Sequence, residues 1–251
     1  MSVKSSITNN VCTLTLCNSS RANSLTSDMC SQLVVALDEV ERNPVVRVVV
    51  LTGDGMDLSS ASSAAATPPF DAALAVFDRV AKFPKPTIAK MNGPALGGGV
   101  GLLFCTDIRI ALDSAFIQLA EVKRGLIPAI ISLYIVPQLG PSLSRQYFLT
   151  GERVSANTLV NCGGHIAACV SSTENLEAKV NEFAQILVQG APNAQATIKH
   201  MVQFISDSSN SEPEKFAHIK KVFNDMLVSK EATYGMYKLH FAIKKCILHV
   251  I

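Results

Sequence analysis

Three consecutive glycines, Gly97-Gly98-Gly99, stand between a strand-forming run and an apolar helix-forming stretch. Each weakens a helix start by roughly 1 kcal/mol relative to alanine, so the run needs a reason. One reason is close packing of bare backbone against a neighbouring element. The other is chemical: amide N–H groups at the positive end of a helix, clear of side chains, can hold a negatively charged oxygen. Downstream, Glu121 opens the run Glu121-Val122-Lys123-Arg124-Gly125-Leu126-Ile127-Pro128. A carboxyl partly buried among apolar residues has a raised pKa and suits proton transfer. One that pairs with Lys123 or Arg124 is only a surface ion pair, and on the residues alone that is the more common arrangement.

Other residue types offer less. His165, His200, His218, His240 and His249 have no zinc-type spacing, and the seven cysteines are scattered without a Cys-x-x-Cys pair, so no metal site is expected. Buried, reduced thiols fit them better. Ser62 and Ser132 lack the setting of a nucleophile elbow. Thr52-Gly53-Asp54-Gly55 follows a strand as a dinucleotide fingerprint does, but the third glycine and a prompt helix are missing.

The chain that must position these groups has 251 residues, 48% of them hydrophobic and 17% charged, with a mean hydropathy of +0.29. Such a chain folds around a sizeable core. Lys and Arg total 22 against 20 Asp and Glu, a formal charge of +2, which makes no field for nucleic acid or an anionic membrane. Any anionic ligand must be met by a local site. No uninterrupted apolar run reaches the roughly 20 residues of a membrane span. The N-terminus has no secretory pattern and the chain ends His249-Val250-Ile251, with no peroxisomal tripeptide. A soluble intracellular protein is expected, in the cytoplasm or an organelle matrix such as that of mitochondria.

The pattern predicts a strand over 8–16, with Cys12, Leu14 and Leu16 set against Val11, Thr13 and Thr15. Thr26 caps a helix bearing Met29, Leu33, Ala36, Leu37 and Val40, which Asn43-Pro44 stops. The β-branched run 45–51 suits a parallel strand covered on both faces. Asp71 caps a second helix carrying Leu74, Phe77 and Val80, ended by Pro84 and Pro86, and 87–91 is the next strand. The glycine run opens a helix and 107–111 follows as a strand. Helices are expected over 174–189, 192–205 and 214–229, with an amphipathic segment over 231–245. Residues 59–66, SSASSAAA, read as a surface loop. The whole is an α/β core with a helical C-terminal region.

The run from Pro84 to Ala129, PKPTIAKMNGPALGGGVGLLFCTDIRIALDSAFIQLAEVKRGLIPA, closely resembles the signature region of the enoyl-CoA hydratase/isomerase, or crotonase, superfamily. The likeness extends to Ala22-Asn23-Ser24-Leu25, to residues 48–55 and to Tyr147-Phe148-Leu149-Thr150-Gly151-Glu152-Arg153, while the C-terminal helices match only in pattern. It implies a ClpP/crotonase spiral of ββα repeats over 1–190 and a C-terminal helical trimerisation region over 191–251, assembled as a homotrimer or homohexamer.

It also implies an acyl-CoA thioester substrate, with coenzyme A part of the substrate and no separate cofactor. An enolate would form, its oxygen held by two backbone amides. One donor is Gly98; the other falls on Ser62, in Leu58-Ser59-Ser60-Ala61-Ser62-Ser63. Here Ala61 stands where the family has glycine and Ser63 where it has aspartate. Arg21, Ser60, Ser63, Gly97, Lys244 and Lys245 take the positions that meet the CoA ester.

Hydratases of the family carry two glutamates. The position of the first is Gly101; the second is present as Glu121. With Glu121 as acid and base, water addition across C2=C3 of an enoyl-CoA is the leading expectation, and the glycine-rich text looks most like the branch that hydrates glutaconyl-type branched acyl-CoAs. A Δ3,Δ2-isomerase needs only one carboxylate and is the alternative. The third possibility is a non-catalytic member, a pseudoenzyme or assembly subunit.

Overall fold

The near-continuous β-branched run Val48–Gly53 forms β3, and all six residues are buried. Its side chains alternate between two cores: Val49 and Leu51 join one hydrophobic cluster, while Val48 and Val50 face Leu176, Val180 and Ala184 of another. A strand covered on both faces has no polar side to show, which is why its pattern does not alternate.

The computed structural model describes residues 2–18, 20, 22–55 and 69–238. They fall into two compact units, Met1–Gln189 and Gly190–Ile251. In the first, β1 (Val3–Thr8), β2 (Val11–Leu16), β3, β4 (Thr87–Met91), β6 (Ile108–Leu112) and β9 (Ala168–Val170) form one sheet in that spatial order. The first pair is antiparallel and the others are parallel. A small second sheet joins β5 (Ala95–Leu96), β7 (Phe116–Gln118) and β8 (Arg153–Ser155). Helices α1 (Ser27–Arg42), α2 (Phe70–Ala81), α3 (Gly98–Cys105) and α4 (Ala129–Thr150) contribute to the larger core. The short α5 is Ala156–Asn161, and α6 (Thr173–Gln189) covers the other face of the large sheet.

Several expectations are corrected. Where the sequence pattern gave one strand over 8–16, the chain makes a hairpin: Asn9 and Asn10, at φ 49° and 65°, turn β1 back onto β2. Asparagine tolerates that left-handed geometry and the right-handed twist of a hairpin favours it. Within β2 the expected alternation holds, with Cys12, Leu14 and Leu16 buried. Thr26 does cap α1, its side chain accepting from Met29 N–H. Asp71 does not cap α2; Pro69 is the N-cap and Asp71 lies in the first turn, where its charge still meets the helix dipole. The long α4 lies where the sequence pattern predicts no element, and it contains Pro137, Gly140 and Pro141. It survives with a kink at Gly140, φ 74°, where Pro141 restarts the helix.

The second unit contains α7 (Pro192–Ser206), α8 (Glu212–Leu227) and a further helical stretch over 230–238. A Ser211/Glu214 capping box starts α8, and the Glu231 carboxylate accepts from Asn193 and Ala194 N–H, 3.0 Å each, at the start of α7. Phe204 of α7 stacks on His218 of α8, their ring centroids 4.1 Å apart. Among the described residues no helix is long and apolar enough to cross a membrane.

Candidate active site

After β4 the chain turns through Asn92-Gly93-Pro94 into β5, whose Leu96 pairs with Gln118 of β7. Gly97 then donates its N–H to the Gln118 carbonyl at 3.1 Å and adopts φ 49°, ψ −115°. A side chain disfavours that geometry strongly, so this glycine is required by the sharp entry into α3. Replacing Gly97 by alanine is expected to destabilise the fold by about 1–3 kcal/mol. For a chain of this size that is roughly 2–4 °C of Tm per kcal/mol, readable by thermal melting.

The first intrahelical bonds of α3 run from Val100 and Gly101 N–H to Gly97 O, at 3.0 and 3.2 Å. The Gly98 amide precedes them and so has no acceptor within the helix. Gly98 is partly exposed between buried Gly97 and Gly99. A Cβ on Gly98 would come within 2.9 Å of Leu25 Cδ1.

The bond that sets this turn also sets Glu121. Three residues beyond Gln118, the 3-10 helix Ala120–Arg124 carries Glu121, and Gly125 closes it in the left-handed region at φ 69°. Leu126 N–H donates back to Glu121 O at 3.0 Å. The Glu121 Oε2 atom is buried and has no hydrogen-bond partner. Burial pushes the carboxyl above its ordinary pKa; its own backbone N–H and the Arg124 charge pull more weakly the other way. Burial outweighs the pull of Arg124 on the carboxyl, unlike in a surface ion pair. The glycine-opened start of α3 and a carboxyl of raised pKa, its Oε2 atom without a hydrogen-bond partner, thus lie on two chain segments tied by the Gly97–Gln118 hydrogen bond.

A second set of bonds anchors the surroundings. Asn23, fully buried at φ 54°, accepts from Asn18 N–H at 2.7 Å and donates to Asp54 O at 2.9 Å. Asn92 donates to the carbonyls of Gly53 and Gly55, and Thr52 donates to Lys90 O at 3.0 Å. The Ala22-Asn23-Ser24-Leu25 segment is thereby locked to the end of β3, which places Leu25 against Gly98. The apolar wall made by Leu25, Phe77 and Ile131 was not legible as a site feature; Gly101, singled out as a missing glutamate, was its one signal. Of the sequence-derived candidates, Gly97, Gly98 and Glu121 are placed as described. Arg21, Ser60, Ser62, Ser63, Lys244 and Lys245 lie outside the described residues, as does the loop 59–66. A cleft of about 610 Å³ lined by Asp113, Asn157, Cys169, Ser171, Asn175, Lys179 and Glu182 among others shares no residue with this site.

The chain is an α/β protein in which the glycine-opened start of α3 and the segment that carries Glu121 are joined by the Gly97–Gln118 hydrogen bond. A family described as Enoyl-CoA hydratase/isomerase matches residues 6–243, and the chain belongs to that family. It is 34% identical over 231 residues to "Enoyl-CoA hydratase ACTT6" of Alternaria alternata, covering 89% of this chain and 76% of that one. It is 30% identical to the "Carnitinyl-CoA dehydratase" of Escherichia coli K12, covering 81% of each. Among solved structures, an enoyl-CoA hydratase from Shewanella pealeana superposes with a TM-score of 0.88 at 26% identity, covering 96% of this chain and 94% of that one. The fold is that of the crotonase superfamily.

Proposed function

We propose that the protein adds water across the C2=C3 bond of an enoyl-CoA thioester, with Glu121 as the acid and base. The observation that carries this reading is the buried, unpartnered Glu121 Oε2 with its raised carboxyl pKa. As water oxygen bonds to C3, Glu121 takes a water proton, the π electrons move toward the thioester, and negative charge gathers on its oxygen. The Gly98 N–H holds that oxygen, and Ser62 supplies the second amide. Glu121 then delivers the proton to C2. A donor already aimed at developing charge needs no reorganisation and is worth about 3 kcal/mol. Relatives named as enoyl-CoA hydratases support the substrate class.

A second reading is favoured by the absence of any carboxylate on α3. There Glu121 removes a proton from C2 of a 3-enoyl-CoA and returns it at C4, shifting the double bond. The test is spectrophotometric: hydration removes the absorbance of the conjugated enoyl thioester, and isomerisation creates it. Absence of both, together with no saturable acyl-CoA binding, would establish an inert family member and overturn both readings.

For the CoA moiety the proposal assigns Arg21, Lys244 and Lys245 to the phosphates and Ser60, Ser63 and Gly97 to the ester's surroundings. It extends to assembly as a homotrimer or homohexamer. Exposed Phe216, Phe223 and Val228 in the C-terminal unit support a buried subunit contact there. Sedimentation equilibrium that returned a monomer would remove that part of the proposal.

A further inference from the structure

Glu121 stands on a 3-10 helix of five residues, Ala120–Arg124, longer than such helices usually run because their hydrogen bonds are poorly aligned. The turn closes itself at its far end, where Gly125 and Leu126 N–H donate to Val122 O and Glu121 O at 3.2 and 3.0 Å. Its start has no such closure: Leu119 is the N-cap and makes no side-chain hydrogen bond. The carboxyl adds none through Oε2. Where that oxygen sits is therefore decided by what holds the chain just before the turn.

Gln118 is held there in two directions. Its carbonyl accepts from Gly97 N–H at 3.1 Å, next to the Gly98 amide, and its side-chain Nε2 donates to Gly151 O at 2.8 Å. Gly151 caps α4 in the left-handed region at φ 55°, with its bare Cα against the turn. A Cβ there would stand 3.2 Å from Leu119 O, 3.2 Å from Lys123 Cε and 3.3 Å from Val122 Cγ1, residues that bracket Glu121. The charged groups around this contact are engaged elsewhere: the Lys123 stem lies along Gly151, Glu152 accepts from Gln146 Nε2 at 2.9 Å, and the Arg153 guanidinium lies 4.7 Å over the Phe116 ring. Arg124 is the charge among the described residues that acts on the Glu121 carboxyl. We propose that Gln118 is a positioning residue for the reaction: its main chain fixes the Gly97-Gly98 turn while its side-chain amide pins the Glu121 turn against Gly151. One residue thus sets the place of the carboxyl relative to the Gly98 N–H. This inference rests on the reading of Glu121 as acid and base given above.

The test uses Gln118→Met, which keeps the length and removes the donor, and Gln118→Asn, which keeps the donor on an arm one carbon shorter. Both are neutral, so the charges around Glu121 stay as they are, and both keep the main-chain bond to Gly97. A control, Val180→Ala, loosens the core on the other face of the large sheet. Each is followed by thermal melting, by kcat and KM on 2-enoyl- and 3-enoyl-CoA, and by carbon-13 NMR titration of labelled glutamate carboxyls, with Glu121→Gln identifying the Glu121 resonance. Without its pin the turn lets water reach Oε2, which relieves the burial that raises the carboxyl. In Gln118→Met the Glu121 titration and the acid limb of activity should both move to lower pH, toward the ordinary glutamate value. Its kcat should fall roughly 10- to 100-fold, the cost of a displaced group, with KM within about twofold. Gln118→Asn should change in the same directions, and Val180→Ala should leave the Glu121 titration in place. A folded Gln118→Met with the titration and kcat of the wild type overturns the proposal, as does an equal shift in Val180→Ala. Should Gln118→Met not fold, Gln118→Asn decides by the same readings; failure of both to fold makes Gln118 a determinant of the fold and also overturns its assignment. If the titration moves as expected while the wild type turns over neither substrate, the acyl-CoA reading is what has failed.

Discussion

Exchanging Glu121 for glutamine is expected to lower kcat for enoyl-CoA turnover by roughly 100- to 10,000-fold, the range for loss of a positioned acid–base group. Binding of the acyl-CoA should hardly change, because the Gly98 amide and the CoA contacts remain. Titration of the variant with a slow or saturated acyl-CoA separates the two effects. An unchanged rate would take Glu121 out of the mechanism. The pH profile carries the same assignment. Glu121 must be ionised to accept a proton from water or from C2, and burial has raised its pKa. Activity should therefore fall as pH drops through that raised value, at higher pH than for an exposed glutamate, and the glutamine variant should lose this limb.

The same shift has a sign in stability. Because the folded value lies above the unfolded one, the native state binds more protons between the two. Burying the charged form then costs stability above the folded pKa, and the cost is relieved as pH falls below the unfolded value. Glu121→Gln should accordingly melt higher than the wild type at neutral pH, with the difference vanishing in acid. A residue that impairs the fold it sits in while driving the reaction is the usual trade at a catalytic position.

The second large effect concerns the Gly98 amide. Gly98→Pro deletes the N–H at the first residue of α3, where proline's fixed φ is compatible with a helix and Gly97, lacking a Cβ, tolerates it. A loss of roughly 100- to 1,000-fold in kcat is expected, as for removal of one oxyanion donor. Gly98→Ala keeps the donor and asks only that the end of the Leu25 side chain move from 2.9 Å. It should cost no more than a few-fold. Equal losses in the two variants, both folded by circular dichroism, would show that packing at Gly98 matters and its hydrogen does not.

Legibility differed by element. Helices α1, α6, α7 and α8 are legible from periodicity and caps to within two residues at most ends, because each carries its apolar residues at helical spacing and Thr26 and Pro192 mark the starts of α1 and α7. The hairpin turn at Asn9-Asn10 and the kinked α4 could not, since neither Asn-Asn nor Pro137 with Gly140-Pro141 has a unique local outcome. The tertiary packing selects it.

For the site, the sequence by itself determined that a run of bare amides opens α3, that a glutamate stands in the turn before Pro128, and that position 101 has no carboxylate to offer. These are facts of residue type, which covalent structure carries without folding. Whether Glu121 is a surface ion pair or a buried carboxyl of raised pKa does not follow from residue type, because burial depends on what the 3-10 turn packs against and not on its neighbours in the chain. The fold decided it: the Gly97–Gln118 bond ties the two segments, Glu121 Oε2 is enclosed without a partner, and Ile131 and Phe77 close the space beside Gly101.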